Sequence, residues 1–219
     1  MRRAITSQVL TLMGAEGRIV RGRPLGAWTS RQHTWEPATT WWPDGIEHLE
    51  PGAARVLLVE QYLRRFGPAT ETDVAWWTGW GKSTTRKALA AVDSVERAGG
   101  LVHADDDEPT DDPEPTAFLL PALDPTPMGW KQRDWFLPED SSALYDSYGN
   151  IGPTIWWGGE VIGGWAVRPD GSIAVETMTD RGADTRRAVE AAADAMHMRL
   201  AGSVVVPTFR TPMERQLSG

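Results

Sequence analysis

The sequence predicts an α+β fold, a winged helix-turn-helix followed by a small β-barrel with a C-terminal helix. Three observations carry this expectation. Apolar residues recur at helical spacing in the first part of the chain; residues 53–104 read as helix, short helix, turn, helix, hairpin; and beyond an acidic run the pattern switches to short strands, glycine turns and one closing helix. The expected organisation is residues 1–50 as the C-terminal half of a winged helix (helix plus β-ribbon), 53–104 as a winged helix-turn-helix domain, 105–116 as an acidic linker, and 117–219 as a small β-barrel domain with a C-terminal helix.

Taken in order, Arg2 to Met13 places Ile5, Val9, Leu12 and Met13 on one helical face, and Gly14 with Gly17 ends it. Residues 17–35 alternate basic and apolar side chains with Gly and Pro at the turns, as a β-ribbon does. Ala38 to Gly52 has no sustained period and reads as a connection. Ala53 to Phe66 is amphipathic and stops at Gly67-Pro68, and Thr70 with Asp73 forms a capping-box variant that opens a short helix through Trp77. After the turn at 78–81, Ser83 is an N-cap candidate for a helix from Thr84 to Val92; Val95 to Val102 then reads as a hairpin around Gly99-Gly100. Strands are expected at 117–120, 151–157, 160–167 and 172–177, with hairpin turns at Gly158-Gly159 and 169–171, closing as a small barrel or a curled sheet. Arg181 to Ala201 is the closing helix.

Composition narrows the function classes. With 41% hydrophobic and 24% charged residues the chain is globular in character, and the absence of cysteine excludes a disulfide scaffold, a Cys-ligated metal and a thiol nucleophile. A reducing cytoplasm is the expected compartment. No stretch approaches the ~18 consecutive apolar residues of a membrane span, and the N-terminus lacks the apolar core of a signal peptide.

Net charge is -8, which argues against a polyanion partner until its distribution is considered. Residues 105–114 carry Asp105, Asp106, Asp107, Glu108, Asp111, Asp112 and Glu114 with no base; without them the net charge is -1. This run reads as a solvated loop or as an acidic interaction or autoinhibitory segment. Residues 1–35 run the other way, with Arg2, Arg3, Arg18, Arg21, Arg23 and Arg31 against Glu16 alone.

The segment Lys82, Ser83, Thr84, Thr85, Arg86, Lys87 offers cations and hydroxyls at a helix start, which suits phosphate; a capped, solvated helix start is the plainer reading. A phosphate-loop NTPase is rejected, because the first glycine of that motif would fall on Trp76 and no strand precedes it. Arg18, Arg21 and Arg23 have the spacing of a basic ribbon that lies along a groove, with Trp28 or Trp35 beneath, and equally of charges guarding a sheet edge. Twelve Trp against four Phe and three Tyr is unusual, and the pairs Trp41-Trp42, Trp76-Trp77 and Trp156-Trp157 serve either as core plus interface or as rings that stack bases. His33, His48, His103 and His197 lack metal-ligand spacing, so no metal site and no cofactor is expected. No G-x-S-x-G elbow occurs, and Asp124 and Asp146 are carboxylates that nothing in the sequence places together.

Four segments in order, Tyr62-Leu-Arg-Arg-Phe-Gly-Pro-Ala-Thr through Asp73-Val-Ala-Trp-Trp-Thr-Gly-Trp, Leu119-Leu-Pro-Ala-Leu-Asp-Pro, Met128-Gly-Trp-Lys-Gln-Arg-Asp, and Gly158-Gly-Glu-Val-Ile-Gly-Gly-Trp, resemble the bacterial winged-helix DNA-binding-domain family related to the AlkZ/YcaQ DNA glycosylases. The resemblance implies tandem winged helices followed by a C-terminal β-barrel, and it covers the C-terminal part of the family. It also implies a catalytic Gln-x-Gln in a first winged helix, whereas Gln8, Gln32, Gln61, Gln132 and Gln216 are never two apart. No catalytic residue is carried over. The expected function is a winged-helix protein gripping double-stranded DNA mainly through phosphates, without the catalytic module. Arg18, Arg21, Arg23, Lys82, Ser83, Thr84, Arg86 and Lys87 form the grip, and Trp156 and Trp157 act as an aromatic wedge. The rivals are a DNA N-glycosylase removing alkylated bases in repair, and an acidic module binding protein.

Overall fold

A computed structural model describes residues 5–106, 108 and 113–219, in two compact units, Met1–Pro51 and Gly52–Gly219. Among the described residues no helix is long and apolar enough to cross a membrane. Residues 107 and 109–112 of the acidic run, and the first residues of the N-terminal helix expectation, lie outside the described residues.

In the first unit α1 (Ile5–Ala15) leads into an antiparallel ribbon of β1 (Ile19–Pro24) and β2 (His33–Pro37), followed by the single turn α2 (Ala38–Trp41). The spacing that makes α1 helical does not bury it: Ile5, Val9 and Leu12 are exposed. Ala38 is the one buried residue described in this unit.

The second unit opens with α3 (Pro51–Phe66), whose Val59, Tyr62 and Leu63 face the core. Thr70 caps α4 (Glu71–Thr78) through the capping box with Asp73, and Gly79 ends it at a φ of 71°, a conformation that favours glycine. The next helix, α5 (Lys82–Leu89), begins earlier than Ser83 would set it. Gly81 is its N-cap, so Ser83 lies within the first turn. Thr85, Ala88 and Leu89 turn inward, and Ala88 and Leu89 join Val59, Leu63, Val74 and Val92 in one cluster. A hairpin of β3 (Ser94–Arg97) and β4 (Gly100–His103) follows. Its turn is Ala98-Gly99, both at positive φ, one residue before the expected glycine pair. Gly100 is needed for packing instead, since a Cβ there would lie 2.7 Å from the Ala69 nitrogen, where Ala69 bridges Leu101.

The remaining strands, β5 (Ala117–Leu120), β6 (Thr154–Trp157), β7 (Glu160–Val167) and β8 (Ile173–Thr177), form an antiparallel sheet in the order β5-β6-β7-β8. The described sheet is open, which corrects the expected β-barrel. Short-range alternation shows strands; closure would require β5 to pair with β8, and the topology leaves them as the two edges. A bulge in β7 lets Trp156 face Val161 while Ile155 pairs with Gly163, so Ile162 joins Trp165 and Val167 on one face despite its even position. On that face lies α6 (Ala183–Leu200), through Val189 and Ala193. The other face receives Phe136, Leu144, Ile151 and Met213, the last from α7 (Pro212–Ser218), which sequence periodicity had not revealed.

Residues 121–153, irregular apart from short 3-10 turns, tie the helices to the sheet. The Tyr62 hydroxyl donates to the Gly129 carbonyl at 2.7 Å, the Trp130 indole N–H donates to Pro68, and the Lys131 and Gln132 amides donate to Asp73.

Candidate nucleic-acid interface

The buried face of α5 fixes which of its side chains point outward. With Thr85, Ala88 and Leu89 in the core, Lys82, Ser83, Arg86 and Lys87 are exposed and Thr84 is half-buried. Gly81 supplies no side-chain cap, so the amides of the first turn face outward without one, with the positive end of the helix dipole behind them. Beside that turn an open cavity of 320 Å³ is lined by Gly52, Arg55, Val56, Ser83, Thr84 and Lys87. Arg55, at the start of α3, joins three of the residues singled out from sequence. The helical period of α3 was visible, but which of its faces meets α5 was not.

Arg86 differs from its neighbours. Its Nε donates to both carboxylate oxygens of Glu71, at 3.0 and 2.9 Å, and this partner raises the guanidinium pKa above its ordinary value. Arg86 therefore stands ready for an anion only in competition with Glu71.

In the ribbon, Arg21 and Arg23 are exposed on alternate positions of β1, and Arg21 lies directly across from the exposed Trp35. Arg18 precedes them and forms an ion pair with Glu16 at 3.6 Å. Gly22 between them cannot carry a side chain without displacing Thr34 or Glu36, whose atoms stand 2.3 and 2.8 Å from its virtual Cβ. The ribbon belongs to the first unit and α5 to the second.

The aromatic wedge does not survive the structure at Trp156. That ring is buried, stacks on Phe136 with centroids 5.3 Å apart, and donates its N–H to the Thr154 hydroxyl. Trp157 is half-buried against the core on the opposite face of the sheet. Strand alternation sends one ring to each side, and both sides are covered. Trp41 and Trp42 are both exposed, as are Trp76 and Trp77, and the Trp41 indole donates to Glu36.

Asp124 and Asp146 are each drawn into a local turn. Asp124 accepts from the Thr126 amide; Asp146 accepts from the amides of Tyr148 and Asn150 and from the Asn150 side chain. Desolvation works against the Asp146 charge, and these hydrogen bonds outweigh it and hold its pKa below the usual carboxylate range.

The family model described as "DNA glycosylase AlkZ-like" matches residues 1–198. The chain belongs to the AlkZ-like DNA glycosylase family. Among solved structures, the DNA glycosylase AlkZ of Streptomyces sahachiroi is similar to this AlkZ-like chain with a TM-score of 0.74 and 24% identity, over 94% of this chain. At that identity the likeness shows a shared fold. The chain spans 57% of that glycosylase's length. No curated protein matches it.

Proposed function

We propose that this chain is a duplex-DNA-binding member of the AlkZ-like family that holds DNA chiefly through backbone phosphates. The observation that carries the reading is the division of α5: one face is locked into the core, while Lys82 and Ser83 at its uncapped first turn and Arg86 and Lys87 in its last turn are exposed. In this reading α3, α4, α5 and the β3-β4 hairpin act as a winged helix-turn-helix over residues 53–104, with α5 as the helix presented to DNA. Residues 1–50 contribute half of another winged helix, with Arg18, Arg21 and Arg23 on its ribbon. Residues 105–116 link to the sheet module at 117–219. Lys, Ser and Thr at a helix start address phosphate rather than base edges, so binding is expected to vary little with sequence.

The test is a salt titration of duplex binding. With four to six phosphate contacts, log affinity should fall against log salt with a slope of roughly -4 to -5. Replacing Arg86 and Lys87 by Ala should weaken binding to all sequences alike and make the slope shallower by about 1 to 2, the smaller value if Glu71 keeps Arg86 from the phosphate. Salt-independent binding, or a double variant that binds like the parent, would remove α5 from the interface.

The family's description as DNA glycosylases favours a second reading, excision of alkylated bases. Release of 7-methylguanine or 3-methyladenine from alkylated duplex by this chain would establish it. Binding without release would leave the chain as the DNA-holding part of such chemistry.

A further inference from the structure

A cleft of 470 Å³ opens between the loop after Tyr145 and the segment leading into α7, far along the chain from α5. One wall is the turn 146–150. Asp146 accepts from the Tyr148 amide at 2.8 Å and the Asn150 amide at 2.9 Å, its own amide donates to the Asn150 carbonyl, and the Gly149 amide donates back to Asp146. Tyr145 at the base of this turn bridges Ile151 in a β-bridge and receives a hydrogen bond from Arg133 on its hydroxyl at 3.0 Å. On this fixed turn Tyr148 is 85% exposed. The turn fixes the backbone that carries Tyr148, whose ring stands in solvent beside the cleft.

The facing wall carries Phe209, also exposed, with Arg210 and Arg215. The two arginines are not equivalent. Arg210 is neutralised by the buried Glu214, to which its Nε donates at 2.6 Å and its Nη2 at 3.1 Å. Arg215 is exposed, and among the described residues its guanidinium has neither a hydrogen bond nor an ion pair. The cleft thus offers aromatic faces and one available cation. Its carboxylate, Asp146, is occupied within its own turn and gives little to a ligand rich in hydroxyls, which disfavours a sugar. A flat ring joined to a single negative charge fits this set.

We propose that the cleft takes one unpaired nucleotide of a DNA strand, its base against Tyr148 and Phe209 and its phosphate at Arg215. This site is separate from the duplex grip at α5 and does not depend on it. Stacking dominates, so its salt dependence differs in kind: one phosphate on a single strand gives a slope of about -0.7, far shallower than that of the duplex grip.

The experiment measures binding of a labelled short oligothymidylate, and of an oligomer of equal length whose sugars carry no bases, to the full chain in a Lys82→Ala/Lys87→Ala background. The thymidylate should bind with the shallow slope and the base-free strand much more weakly. Tyr148→Ala should weaken thymidylate binding about five- to hundredfold, the range for removal of one stacked base. Arg215→Ala should abolish most of the remaining salt dependence. Both side chains are exposed, and an unchanged far-ultraviolet circular dichroism spectrum checks that the variants fold. Equal binding of the two oligomers, an inert Tyr148→Ala, or loss of thymidylate binding in the Lys82/Lys87 background would each overturn the proposal. Failure of the duplex titration alone would overturn the α5 reading and leave this one standing.

Discussion

Replacing Asp73 by Ala tests how the helices are fastened to the sheet. This buried carboxylate accepts four hydrogen bonds, from the Thr70 amide at 2.9 Å and hydroxyl at 2.6 Å, and from the Lys131 and Gln132 amides at 2.9 and 3.1 Å. Two of these close the α4 cap, worth about 0.5–2 kcal/mol, and two hold the segment that follows Gly129, worth about 1.5–3 kcal/mol together once the exposed Lys131 and Gln132 amides regain water. The loss is therefore expected near 3–4 kcal/mol, a fall in Tm of roughly 6–16 °C for a chain of this size. Asp73→Asn keeps one acceptor oxygen and should lose less than half as much. Burial by itself would raise the Asp73 pKa, but the hydrogen bonds from Thr70, Gln132 and Lys131 outweigh it and hold it low. A carboxylate depressed in the folded state stabilises above its unfolded pKa of about 4, and this contribution disappears as pH falls through the folded value. The gap between parent and Asp73→Ala should accordingly narrow on acidification. Urea unfolding followed by tryptophan emission at neutral and acid pH reads both quantities. A gap that stays constant with pH, or a loss below ~1 kcal/mol at neutral pH, would refute the charged-anchor argument.

Glu71→Gln should release Arg86 from its carboxylate partner, tighten duplex binding and steepen its salt slope by up to about 1, read in the same titration. Gly163→Ala should destabilise by ~2 kcal/mol or more in urea unfolding, because its Cβ would sit 2.0 Å from the Glu176 carbonyl oxygen and force β7 away from β8. Deleting residues 105–114 should tighten duplex binding, since seven carboxylates lie on one short tether and exposed charges act over ~8 Å at physiological salt. Unchanged or weaker binding would return that run to the role of a solvated loop.

What the sequence revealed follows the range of the interactions involved. The helices α3 and α4 were legible because their signals are local: a 3.6-residue apolar period and a Thr70-Asp73 capping box, both present in the structure. The turn at Gly158-Gly159 was legible for the same reason, with both residues at positive φ. Closure of the sheet was not, because it is a long-range property of the two edge strands. Residues 121–150 have no period, yet supply Phe136 and Leu144 to the core, and the strand expected from Ile151 begins only at Thr154. The start of α7 did carry a local signal, Thr211-Pro212-Met213-Glu214, with Thr211 accepting from the Glu214 amide and Pro at the first helical position. Its brevity hid it. Within the candidate interface, the exposed cations of α5 were legible from their residue types, whereas the Glu71 partner of Arg86 and the contribution of Arg55 depend on how helices distant in sequence pack.

The same packing bears on how an electrostatic grip can be held in place. Lys82 and Lys87 are flexible side chains, so their spacing is only as well defined as the helix that carries them. That helix is positioned by Ala88 and Leu89, which share one core cluster with Val59, Leu63 and the buried Tyr62. From Tyr62 a chain of ring contacts runs through Phe66, Trp130 and Phe136 to Trp156 in β6, with successive centroids 5.2, 5.4, 5.9 and 5.3 Å apart. Each such contact contributes about 0.5–1.5 kcal/mol beyond the area it buries. The tryptophans that suggested an aromatic surface for DNA are thus in part spent inside the protein, coupling the helices to the sheet. Trp156 belongs to that coupling, which explains why an unusual abundance of tryptophan does not by itself mark a binding face.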